Sequence, residues 1–205
     1  MAFKPTAAAL ALILCTTGAH AQKAPYNDGV AHAAPAPIAP GTPIDPAKSM
    51  DASVTQLEKL WTNAAAAMPA DKYDFAPSAA IFVPGQKVKY DGVRTFAQLV
   101  THTIQANYFF FGNVGGIKPE IDVKAIGDLK SKDDILKALA ATFVFAHKAV
   151  ANVTTANAFE SVRGPQTRAT IFAAAIAHAE DEYGQAVEYL RMNAIIPPAS
   201  AAKEM

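Results

Sequence analysis

Towards its C-terminal end the chain carries one stretch that only a long helix accommodates, Ala169 to Ser200, ATIFAAAIAHAEDEYGQAVEYLRMNAIIPPAS. Ile171, Ala175, His178, Glu182, Gln185 and Tyr189 follow one another at steps of three and four, which lines them up on one face of a 3.6-residue helix. The stripe meant for the core therefore turns polar halfway along. His178 and Glu182 stand one turn apart and point the same way, the spacing at which a helix offers two donors to one metal ion. Pro197 and Pro198 mark the expected end of the helix, since proline cannot donate the next backbone hydrogen bond.

A helix of this kind has to be buried against partners, and at 205 residues with 51% hydrophobic content the chain can enclose one sizeable core. A first helix is expected from Pro46 or Ser49 to Met68, with Val54, Leu57, Leu60 or Trp61, Ala64 and Met68 inward. A second is expected from Thr95 to about Gly112, with Phe96, Leu99, Val100, Thr103, Ala106 and Phe110 on or beside the buried face. His102, three residues after Leu99 and four before Ala106, falls on that same stripe. The third begins at Ser131, a good N-cap, with Asp133 and Asp134 where they complement the positive end of the helix dipole. Its stripe is Ile135, Leu139, Phe143, Ala146 or His147, and Val150, and it is expected to fray at Asn152 to Asn157. The connections are long. Tyr73 to Gly92 reads as irregular, with a Pro84-Gly85 turn and K-V-K-Y as at most a short extended piece, and Ile117 to Leu129 reads as a crossover with room for one helical turn. The pattern predicts an all-α four-helix bundle over residues 47–205.

Upstream of the bundle, Met1 to Ala21 has the parts of a secretory signal: Lys4, an apolar run from Ala7 to Cys15, and Ala19-His20-Ala21 as a small-residue cleavage site. The mature chain is expected to start at Gln22, exported to the periplasm or the medium. Leu14 precedes Cys15 where lipid attachment needs a small residue, so the leader reads as soluble-secretory rather than lipoprotein. Residues 22–46 are Ala- and Pro-rich and read as an extended linker. Loss of the leader removes the only cysteine, which excludes disulfides, a cysteine nucleophile and thiolate ligands. Lysines plus arginines equal aspartates plus glutamates at 18 each, so nothing favours nucleic acid or an anionic membrane surface. No segment of the mature chain is long and apolar enough to span a membrane, and neither a G-x-S-x-G motif nor a phosphate-cradling glycine loop occurs.

Three stretches carry a family resemblance: M-P-A-D-K-Y-D-F-A-P at Met68 to Pro77, T-F-A-Q-L-V-T-H-T-I-Q-A-N-Y-F-F at Thr95 to Phe110, and H-x-x-x-E-Y-G-Q with E-Y-L-R-M-N-x-I-I-P-P-x-S from His178 to Ser200. In this order they resemble the DinB-like (DinB/YfiT-type) four-helix-bundle proteins, many of them metalloenzymes, over roughly residues 50 to 200. The resemblance implies a divalent-metal site between the second and fourth helices, made by His102, His178 and Glu182. The family commonly presents three histidines, the last two as H-x-x-x-H, and here Glu182 stands in the last place. A carboxylate changes the site charge by one unit and prefers harder ions. Two imidazole nitrogens and one carboxylate oxygen suit zinc, nickel or iron(II) and leave coordination positions open.

His147 competes as a ligand because its phase also touches the apolar stripe, but no family motif supports it. Gln185, one turn below Glu182, reads as a hydrogen-bond partner behind that ligand. Glu180 and Asp181 read as a solvated face, and of the aromatics Tyr108 to Phe111 some should be core while one or two line a pocket mouth. If the protein is an enzyme, the resemblance implies metal-dependent transfer or hydrolysis on a small-molecule substrate, and it also implies pairing of two copies through bundle faces. The rival expectation is a non-catalytic bundle that binds a small molecule or serves a structural role, with Glu182 marking a degenerate site.

Overall fold

Asp45 opens the first helix: its carboxylate accepts from the Lys48 N–H at 3.1 Å, and Pro46 takes the first helical position, where a missing N–H deprives the helix of nothing. The computed structural model describes residues 38–78, 85, 87, 89 and 91–201. The expected leader, most of the linker, Pro84 and half of K-V-K-Y lie outside the described residues.

Helix α1 (Pro46–Ala67) buries Met50, Val54, Leu57, Leu60, Trp61 and Ala64. Lys132 Nζ closes its far end by donating to the carbonyls of Ala66 and Met68, both at 2.7 Å. A 3-10 turn over Ala70–Lys72 then carries Tyr73 under the bundle. The Tyr73 hydroxyl donates to Ala65 O at 2.7 Å, and burial pushes its phenol far above the ordinary range.

Helix α2 (Phe96–Gly115) starts in a capping box: Thr95 Oγ1 accepts from the Gln98 N–H at 3.2 Å while Gln98 Oε1 accepts from the Thr95 N–H at 2.9 Å. It runs almost a turn past the expected stop. Gly112 and Gly115 stay helical, and the chain turns off only at Gly116, with φ of 65°. At Gly115 the backbone of α2 lies tight against α3, since a Cβ there would lie 2.6 Å from Ala149 Cα. The crossover then makes a 3-10 turn at Lys124–Asp128.

Helix α3 (Lys132–Val150) begins as expected at Ser131, whose side chain accepts from the Asp134 N–H. Residues 152–157 do not fray. Thr154 and Asn157 exchange backbone–side-chain hydrogen bonds of 2.8 and 3.3 Å, and Val153 and Ala158 are buried beside them. A hairpin of β1 (Ser161–Arg163) and β2 (Gln166–Thr167) follows, turning through Gly164 at φ 56°. Its strands, three and two residues long, are too short for an alternating pattern to reveal them.

Helix α4 (Arg168–Met192) ends five residues before Pro197. Ala194 takes φ of 58°, its N–H bonds to Arg191 O at 2.9 Å, and the Ile195 N–H reaches Leu190 O at 3.0 Å, a left-handed close that uses up the last carbonyls. Pro198 instead opens a final turn, α5 (Pro198–Ala201).

Helices α1 and α2 each pack against both α3 and α4. Phe96, Leu99, Ile104, Phe111, Ile135, Leu139, Phe143 and Leu190 fill the space between them. The fold is thus the all-α bundle that the spacing predicted, and no described helix is long and apolar enough to cross a membrane.

Candidate metal centre

The site forms where α2 and α4 run side by side. On α4 the i,i+4 spacing puts His178 and Glu182 on one face, with Ala175, Ala179 and Ala186 buried along the same flank. Alanines there let the backbone sit close to its neighbours. The Trp61 indole N–H of α1 donates to the Ala179 carbonyl at 3.0 Å, and its ring meets Tyr183 edge-on at 6.1 Å. The segment carrying the two α4 donors is therefore pinned from behind. On α2, His102 lies between the buried Thr101 and Thr103 and reaches the same point from the opposite side.

Glu182 Oε1 lies 3.4 Å from His102 Nε2 and 3.8 Å from His178 Nε2. The two imidazole centroids are 5.3 Å apart, and one donor atom from each of the three residues falls within 4.8 Å of the others. The carboxylate is sunk, at 7% side-chain exposure, while the imidazoles keep 32% and 28%, so the cluster is anchored inside and open at its mouth. Gln185 is largely exposed but turns its Nε2 back to donate to Glu182 Oε2 at 3.3 Å, so it sits behind that carboxylate as expected while leaving the buried stripe.

Burial, and then the Arg94 guanidinium, hold His102 below its ordinary value against the pull of Glu182. A neutral imidazole is the form that binds metals. A buried carboxylate needs compensation, and no lysine or arginine pairs with Glu182 among the described residues. His178 Nδ1 is buried without a hydrogen-bond partner. Two imidazole donors around a carboxylate that pairs with no lysine or arginine among the described residues make a set that could hold a metal ion, and its chemistry fits one.

Other residues take different places. His147 is remote from this cluster: its Nδ1 lies 2.6 Å from Asp51 Oδ1 and its Nε2 3.2 Å from Glu58 Oε2, which ties α3 to α1. Burial pulls its pKa down, but the two carboxylates outweigh that and raise it. Asp181 is exposed, whereas Glu180 is half-buried and its carboxyl is pushed up by desolvation, so the two do not form one solvated face. Phe110, on the same face of α2 as His102 two turns on, sets its ring 5.5 Å from that of His178. The roles of Trp61 and Arg94 at the site come from other elements and leave no spacing in the sequence that would reveal them.

No curated protein and no solved structure matches the chain. The sequence profile of the DinB superfamily does match, over residues 53–186, a span that takes in most of α1, all of α2 and α3, the hairpin and all three donors of the cluster. The chain belongs to the DinB superfamily.

Proposed function

We propose that the protein is an exported metalloprotein that holds one divalent cation, of the zinc, nickel or iron(II) kind, through His102, His178 and Glu182, and acts on a small-molecule substrate by metal-dependent transfer or hydrolysis. The observation that carries the reading is the convergence of two imidazoles and a buried carboxylate within 4.8 Å. When bound, such an ion supplies Lewis acidity. His102 and His178, each about a third exposed, present it at the bundle surface, while Glu182 offsets part of its charge from within. Gln185 fixes the carboxylate by holding its second oxygen. The export component rests on Lys4, the apolar run and Ala19-His20-Ala21, and mass spectrometry of the exported protein should find Gln22 first.

Metal analysis of untagged protein tests the core of the reading. About one ion per chain is expected, lost in His178→Ala, with a rise in melting temperature on adding zinc or nickel to stripped protein. Metal-free protein whose melting temperature ignores both ions would instead favour the rival reading, a non-catalytic small-molecule-binding bundle. That rival draws on the hydrogen bond Glu182 already accepts from Gln185 and on its closeness to His102, which stabilise the carboxylate without an ion.

A further inference from the structure

Two cavities meet at Phe109 and Asn113 in the second half of α2. The larger is an open groove of about 410 Å³ against the crossover, walled by Tyr108, Ile117, Pro119 and Val123, with Val162 of the hairpin overhanging it. Its size falls within the range of sites for small organic ligands. The smaller is more enclosed, lies between α2 and α4, and is lined by Phe110, Ile171 and Ala174 with Arg163 and Gln166 at its hairpin end. Phe109 stands between the two and is 56% exposed, a large aromatic left in water where the helix could have carried a polar residue.

Charge decides what the apolar surface fits. Neither lining contains an acidic side chain, whereas Lys118 edges one cavity and Arg163 the other. Among the described residues neither cation forms a side-chain hydrogen bond or an ion pair. An arginine fork without a partner, beside an apolar groove free of carboxylates, complements a molecule with a hydrocarbon body and an anionic head.

We propose that this double cavity binds an amphiphilic carboxylate, with its chain laid along Phe109 and Val162 and its head paired with Arg163. The site goes beyond the metal reading, since it uses none of the three donors, although Phe110 touches both the smaller cavity and the His178 ring. Lys118 adds to the positive field at the far edge.

Calorimetric titration of the full chain with decanoate, and with decan-1-ol as the uncharged control, tests this. Decanoate should bind saturably, and Arg163→Gln should weaken it roughly tenfold while leaving the alcohol unchanged, as expected for loss of one charge-assisted contact. Asn113→Trp, which fills the junction, should abolish binding of both. Val162→Trp serves the same end from the hairpin should the first variant fail to fold by circular dichroism. Metal content measured on the same samples should not change, which separates this site from the ion site. Absence of saturable decanoate binding, or binding untouched by the filling variants, would overturn the proposal. So would a concentration-dependent dimer that excludes decanoate and is abolished by Asn113→Trp, because the groove would then serve a second copy of the chain.

Discussion

The Trp61 indole N–H donates to the carbonyl of Ala179 at 3.0 Å, joining the middle of α1 to the turn of α4 that carries His178 and Glu182. Both partners are buried, so the bond is shielded from water and fixes the rotation of α4 about its axis. Trp61→Phe removes the donor and leaves a small void. It should lower unfolding stability by about 1–3 kcal/mol in urea titrations, with the slope unchanged. It should also loosen metal binding although Trp61 is no ligand.

Glu182→His restores the family's H-x-x-x-H pattern at a position already flanked by two imidazoles. A third nitrogen donor in place of a harder carboxylate oxygen should tighten zinc and nickel binding, by an expected tenfold or so. Glu182→Ala should weaken both. Isothermal titration of stripped protein measures the two variants side by side, and equal affinity in all three proteins would remove Glu182 from the ligand set.

His147 bridges Asp51 and Glu58 through both ring nitrogens, which calls for the doubly protonated ring, and its folded pKa is raised above the ordinary 6.5. Since the folded value lies above the unfolded one, the stabilisation is fully present below about pH 6.5 and is lost as pH rises through the raised value. Melting temperature should therefore decline across that interval. In His147→Gln the decline should flatten, because the ring that titrates is gone.

Two helical glycines should respond oppositely to the same substitution. At Gly115 a Cβ would fall 2.6 Å from Ala149 Cα and 2.7 Å from its carbonyl oxygen, backbone atoms that cannot step aside, so Gly115→Ala should cost about 1–3 kcal/mol or more by forcing α2 from α3. Gly184 is exposed within α4 with nothing inside 4 Å of its Cβ position, and Gly184→Ala should stabilise by about 0.5–1 kcal/mol through helix propensity. Paired denaturation curves read both signs.

What the sequence determined by itself was local in range. Period and caps placed α1 and the start of α3 at Ser131 almost to the residue, and the i,i+4 step put His178 and Glu182 on one face, because helical geometry depends only on neighbours along the chain. It erred where two local signals competed. Gly112 reads as a stop yet stays helical, the left-handed turn falling at Gly116 instead, and Ala194 ends α4 ahead of Pro197 although alanine rarely adopts positive φ. That His102 meets the α4 pair follows from no spacing in the chain and entered only through the family resemblance, while the tertiary structure alone decided that His147 turns to Asp51 and Glu58 instead and that Trp61 backs the site. Helix phase says which side of a helix faces inward, but the rotation and height at which helices dock follow from how their buried side chains interlock, and that depends on residues far apart in the chain.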